Sequence, residues 1–289
     1  MRKVLMNLFL SLLTGFVGAW LLLFVTGGDR PANVVKKETA FERVMRTSTI
    51  RCGYAYAEPL VIKDPTTGEM SGMAHDVIEA VGKALSLKVV WTEEVGWASF
   101  PAALASGRID AFCVGAWLTA ARARGADHTV PFSFQSYYAY VRSDDNRFDG
   151  RISDINDPSV TIAFVDGDGS SLVARSDFSK AKMLSLPQLA SEDEVFINVA
   201  QHKADVALLS PEWFVKYDHS NPGKIRQVES APIRVFGNVF FIAHGEDKLR
   251  QMFNAALMEQ LSSGAVEKII SKYEKKPGSI LRVAAPYAR

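Results

Sequence analysis

Residues Ala98–Phe132 read ASFPAALASGRIDAFCVGAWLTAARARGADHTVPF, and the fold follows from this stretch. Phe100, Ala103 and Leu104 recur at helical spacing, so a short amphipathic helix is expected. Gly107 stops it, because glycine enters the left-handed C′ conformation without a Cβ penalty. Ile109–Val114 is almost wholly apolar, the pattern of a parallel strand covered on both faces. Gly115 and a turn follow, and Thr119 is placed to N-cap a new helix that carries Arg122. Ligands of open α/β sheets bind beyond the carboxyl ends of the strands. A helix start and a guanidinium fork at that end can together hold a carboxylate. On these residues alone, Arg122 also reads as a solvated helix arginine.

The chain has 289 residues, enough for two modest lobes, and a formal charge of +1. No basic run stands out, which argues against nucleic acid. Without a CxxC or a His/Cys cluster, neither a metal nor another cofactor is expected. Cys52 and Cys113 are the only cysteines, and both fall in expected strands. They read as buried free thiols. Pairing in an oxidising compartment is the alternative, although adjacent central strands rarely give disulfide geometry.

The order helix, SGRIDA, strand, LTAAR, VPF resembles the first lobe of the family 3 bacterial extracellular solute-binding proteins, whose members carry sGkvDa, a siTpeR turn and an FtdPY segment. The resemblance extends in order from Thr47 to Tyr273. It implies an α/β fold of the two-lobed, type II periplasmic-binding (Venus flytrap) kind.

Residues 1–28 open on Met-Arg-Lys and run from Val4 to Thr26 almost without charge, long enough to cross a bilayer. They read as an uncleaved signal anchor, with a cleaved signal peptide as the alternative, and Arg2 and Lys3 keep that end in the cytoplasm. The remainder is then periplasmic, tethered to the inner membrane. Residues 29–46 form a connector, 47–142 the first part of lobe 1, 143–233 lobe 2, 234–274 the return to lobe 1, and 275–289 a loose tail. Strands are expected at Ile50–Tyr54, Leu87–Trp91, Tyr137–Arg142, Val160–Val165, Ala204–Leu209, Lys224–Val228 and Ile233–Ala243. Ser191 and Glu194 have the spacing of a capping box, and Pro211 sits at a helix N1.

The resemblance also assigns roles. Arg122 matches the arginine that grips a ligand α-carboxylate, and a bidentate guanidinium suits that task. Arg124 is its rival in the same helix and reads as solvent-facing. Trp97 falls where relatives cover the ligand, and Tyr54 and Tyr56 leave the first strand at its carboxyl end. Trp117 stands before Thr119 where relatives carry a small hydroxyl residue, so its indole should shrink or reshape the pocket. Gly169, Ser170 and Ser171 resemble a turn that donates to a carboxylate. Ser210 occupies the place of the aspartate that holds an α-ammonium. A hydroxyl cannot offset the desolvation of an ammonium, so Asp166 or Asp168 would have to compensate.

The expected function is capture of a small carboxylate-bearing solute by a monomeric protein, for delivery to an ABC transporter permease. A sensing module acting through a membrane partner is the alternative. A dehydratase-like enzyme is a third reading, and His75 and Glu58 are its candidate acid–base groups.

Overall fold

The computed structural model describes residues 38–188 and 190–283. The expected membrane helix lies outside them; among the described residues, no helix is long and apolar enough to cross a membrane.

The first lobe opens with α1 (Ala40–Thr47), whose Thr39 and Glu42 form a capping box. The Glu246 carboxylate accepts from the backbone N–H groups of Ala40 and Phe41 at 2.7 and 3.1 Å, a second cap on the same helix start. Next come β1 (Thr49–Tyr54), a small hairpin of β2 (Ile62–Lys63) and β3 (Met70–Ser71), α2 (Met73–Ala84) and β4 (Lys88–Glu94). Then follow α3 (Phe100–Ser106), β5 (Ala111–Trp117), the single turn α4 (Ala120–Ala123), β6 (Asp127–His128) and β7 (Ser133–Arg142). Gly107 closes α3 at φ 75°, as its lack of a Cβ permits. β5 runs past Gly115 to Trp117, further than the sequence suggested. The extension is held by pairing of Ala116 and Trp117 with a later strand.

The second lobe contains a 3-10 turn (Ile152–Ile155), β8 (Thr161–Val165), α5 (Gly169–Asp177), β9 (Lys182–Leu186), α6 (Glu192–Ala200), β10 (Val206–Leu209), α7 (Pro211–Ser220) and β11 (Ile225–Gln227). β9 was not foreseen. It pairs only with β8 at the sheet edge, where partial exposure leaves no apolar run to read. The chain returns through β12 (Arg234–Ile242), α8 (Asp247–Ser262), α9 (Ala265–Tyr273) and β13 (Ile280–Leu281).

The strand order β4-β1-β5-β12-β7-β10-β8-β9 passes through both lobes. β1 pairs in parallel with β4 and β5, and β8 pairs in parallel with β9 and β10. The long strands β7 and β12 run antiparallel between these two sets. β7 changes partners along its length: Ser133–Tyr137 pairs with β12, and Tyr138–Arg142 with β10 and β11. The carboxyl ends of both parallel sets therefore meet at one cleft.

Two expectations are corrected. Cys52 and Cys113 form a disulfide, with Cα atoms 5.5 Å apart. Cys52 lies opposite Ala111 in the β1–β5 ladder, so Cys113 is its diagonal neighbour on the same face of the sheet. The tail is also not loose up to Val283. β13 pairs with β7, Ile280 is fully buried, and Arg282 bonds Glu267 and Glu274.

Candidate functional site

A cavity lies between the lobes, lined by residues from the carboxyl ends of β1, β4, β5, β8, β9 and β10. Arg122, Trp97 and Trp117 line it, as do Glu58, Gln135, Tyr137, Asp168, Glu192 and Trp213. It measures only about 30 Å³ and is flanked by wider openings of about 640 and 530 Å³.

Arg122 is positioned by its own helix start. Thr119 N-caps α4, and its hydroxyl accepts from the Arg122 backbone N–H at 3.2 Å. The guanidinium then reaches across the cleft. Nη1 donates to the Trp117 carbonyl and Nη2 to the Gly167 carbonyl, each at 3.1 Å, and the group sits 5.6 Å from the centre of a Trp97 ring. One of these bonds is within lobe 1 and the other ties lobe 1 to lobe 2. Burial pushes the guanidinium pKa down, and the charge of Asp168 opposes that shift.

Asp168 N-caps α5 and takes a bond from the Ser170 hydroxyl at 2.9 Å; the Tyr137 hydroxyl approaches it at 3.4 Å. Glu192 opens α6, and its carboxyl is pushed up to about 8 by burial and by the neighbouring charge of Asp168. Burial likewise raises the Tyr137 phenol, with Asp168 adding to the effect. Glu58 behaves differently. Burial pushes its carboxyl up, but bonds to Lys216 and Lys275 outweigh that and hold it below the usual range. Lys216 Nζ lies 3.2 Å from Glu58 and 3.6 Å from Asp193, so this group bridges the two lobes at the cleft mouth.

The remaining sequence candidates lie around this centre, not in it. Thr119 and Gly169 line one wide opening and Tyr56 the other. Tyr54 packs on Tyr56 and Trp91. Ser170 is buried behind Asp168. Ser210 is buried at the N-cap of α7 and does not line the cavity, because its strand ends behind the wall that Trp213 presents one turn later. Asp166 pairs outward with Arg175 at 3.4 Å, which leaves Asp168 as the acid facing Arg122. Arg124 is exposed. His75 bonds Asp76 and stacks on Trp91, away from the cavity. Sequence reasoning missed Glu192, Gln135, Tyr137 and Trp213 as wall residues. The usable signal for Glu192 was an acidic residue at a helix start after a strand of the second lobe.

The cavity thus brings together one guanidinium, the carboxyl groups of Glu58, Asp168 and Glu192, and three tryptophans, with the Asp168 charge acting on Arg122. Solved structures with the same fold include an ancestral amino-acid-binding protein, a precursor of cyclohexadienyl dehydratase (23% identity, 82% of this chain and 100% of that one, TM-score 0.70). Another is a putative binding component of an ABC transporter from Wolinella succinogenes complexed with lysine (17% identity, 80% and 97%, TM-score 0.70). A third is a cysteine-binding protein from Campylobacter jejuni (15% identity, 84% and 98%, TM-score 0.70). No curated protein sequence matches the chain. Residues 50–276 match the model of the bacterial extracellular solute-binding proteins, family 3, and the chain belongs to that family.

Proposed function

We propose that this protein captures a small carboxylate-bearing solute, an amino acid or a related compound, outside the cytoplasm and delivers it to an ABC transporter permease. The observation that carries the reading is the Arg122 guanidinium in the interlobe cavity, with Asp168 acting on it and Glu192 lining the same space. Arg122 takes the carboxylate by exchanging its bond to the Gly167 carbonyl for a bond to the ligand. Asp168 and Glu192 take the ammonium, replacing the acid that the Ser210 position lacks. Glu192, whose carboxyl is pushed up to about 8, releases its proton to solvent as the ammonium binds. Relatives described as complexed with lysine, or as binding cysteine, support an amino acid as the solute class.

Titration calorimetry with the common L-amino acids tests this. Arg122→Ala should weaken binding by about 3 kcal/mol, because the carboxylate loses its partner within a desolvated site. Arg122→Lys should recover only part of that, since it lacks the planar fork. Unchanged affinity in Arg122→Ala would remove the carboxylate assignment.

Glu192 favours a second reading. A carboxyl pushed up to about 8 in a cleft is what a general acid of a dehydratase-like enzyme requires. Glu58, held ionised by two lysines, does not meet that requirement. Product formation from a candidate substrate, lost in Glu192→Gln, would favour the enzyme over the binder.

A further inference from the structure

Trp117 sits at the end of β5 in lobe 1, yet its ring is buried among side chains of the shared strands and of lobe 2. It stacks on Phe236 with centroids 5.1 Å apart and planes 5° apart. It meets Tyr137 edge-on at 4.2 Å. Its Nε1 donates to the Gln135 side-chain oxygen at 3.1 Å, and Gln135 in turn donates to Glu212 at 3.4 Å. On the remaining side the indole meets backbone, because a Cβ built on Gly169 would lie 1.8 Å from Trp117 Cε3. A side chain at Gly169 is excluded, so the start of α5 approaches the ring directly.

This ring is therefore held by a stack, an edge contact, a hydrogen bond and the Gly169 backbone, and the part left free lines the cavity. Rotating it away would break the Gln135 bond and expose roughly 150–250 Å² of aromatic surface. It stays, and what is left beside Arg122, Asp168 and Glu192 is a cavity of about 30 Å³. A water needs at least about 10–15 Å³ on such a measure, so the space suits about two waters or a ligand of similar bulk. A solute bound through its carboxylate and ammonium has no room for a side chain within this cavity, and a longer side chain would have to run past Trp97 or Trp213 into one of the flanking openings.

We propose that Trp117 is the specificity-determining residue of the cleft: its indole takes the space of a ligand side chain and limits the protein to the smallest zwitterions, of the size of glycine or alanine. The proposal rests on the reading of this cleft as an amino-acid site.

Titration calorimetry on the full chain and on Trp117→Ala, with glycine, L-alanine, L-glutamine and L-arginine, tests it. The wild type should bind glycine or alanine and neither of the larger two. Trp117→Ala should bind glutamine or arginine at least about tenfold more tightly than the wild type does, and glycine more weakly. Trp117→Phe keeps the stacking on Phe236 and covers the case in which the alanine variant does not fold; it should shift the size preference part of the way. Wild-type binding of glutamine or arginine within about threefold of that of the variants overturns the proposal and leaves the amino-acid site standing. So does an unchanged preference for glycine in both variants. Absence of binding to all four by the wild type and by a folded variant overturns the amino-acid site itself, and this proposal with it.

Discussion

The two lobes are built alike at one end of their strands and differently at the other. In lobe 1, Asp110 precedes β5; its N–H donates to the Arg51 carbonyl and its carboxylate accepts from the Arg51 N–H, both at 2.8 Å. In lobe 2, Asp205 precedes β10 and makes the same exchange with Thr161, again at 2.8 Å in each direction. The ladders agree in register, with Ala111 opposite Cys52 and Val206 opposite Ile162. The lobe 2 positions equivalent to Cys52 and Cys113 are therefore Ile162 and Leu208, both fully buried. One lobe ties its central strands with a covalent bond and the other packs two aliphatic side chains in the same place. At the cleft the lobes diverge in charge. Lobe 1 supplies the guanidinium of Arg122 and, toward the mouth, the Glu58 carboxylate, whereas lobe 2 supplies Asp168 and Glu192. On the proposed function, a zwitterion would be held at both ends only while the lobes are together.

The largest expected effect comes from removing the bridge. Cys52→Ala with Cys113→Ala opens a loop spanning 61 residues of sequence separation, which by chain entropy costs about 4 kcal/mol of stability. Urea unfolding under oxidising conditions reads the loss directly. Replacing the pair by Ile and Leu, as in lobe 2, should recover a part through packing but not the loop closure. If the alanine pair unfolds at the wild-type midpoint, the covalent tie is not what separates the two lobes.

The unequal legibility of the lobes has the same physical root. The run from Phe100 to Arg122 could be read because its signals are local: an apolar period, Gly107 as a stop, and Thr119 as a cap. The bridge is not legible in the sequence, because pairing of Cys52 with Cys113 depends on the register of β1 against β5, which no local pattern encodes. Asp168 directly precedes the turn of Gly169, Ser170 and Ser171, so its place at a helix start is legible from the sequence. Glu192 was absorbed into a helix-capping pattern, and only the packing of α6 turns it toward the cleft. Ser210 was chosen by likeness to relatives, and its burial behind the wall is a tertiary fact. The short strand β13 offers two apolar residues and no period, so the strap it makes on β7 was invisible.

A smaller effect should separate the charged walls. Glu192 ionises at its ordinary value of 4.5 in the unfolded chain and at about 8 in the folded cleft. Between those values the folded protein holds a proton that the unfolded chain has released. The contribution of Glu192 to stability is thus greatest below the lower value and falls as pH rises to the upper one. From about pH 6 to about pH 8 the loss is about 2 kcal/mol. Glu192→Gln removes that slope, so its stability relative to wild type should rise by the same amount over the interval, as measured by denaturant titration at each pH. Parallel curves for the two proteins would mean that Glu192 is solvated and that the acidic wall is not as enclosed as the lobe 1 wall.

The smallest effect concerns the ion pair in which an acid of lobe 1, Glu58, meets a base of lobe 2, Lys216. Lys216 joins Glu58 at 3.2 Å, and their side chains are 36% and 33% exposed. A pair this open to solvent is worth about 0.5 kcal/mol and is screened by salt. Lys216→Ala should therefore barely move the unfolding midpoint. Closure is a separate readout from stability: among the described residues the lobes are also tied by the Arg122 bond to the Gly167 carbonyl, by Gln135 to Glu212 and by Arg234 to Asp177, and the ion pair at the mouth is a tie open to salt. A distance measurement between spin labels on the outer faces of the two lobes should show a larger open fraction in Lys216→Ala at low salt, and the wild type should approach that fraction as salt is added. Acid should act in the same direction. Lys216 and Lys275 hold the Glu58 carboxyl below its usual range, so its contribution is present at neutral pH and is lost as pH falls through that depressed value, opposite to the trend for Glu192. If the variant stays closed at low salt, the lobes are held by the buried Trp117 ring and by Arg122, and the ion pair at the mouth is incidental to closure.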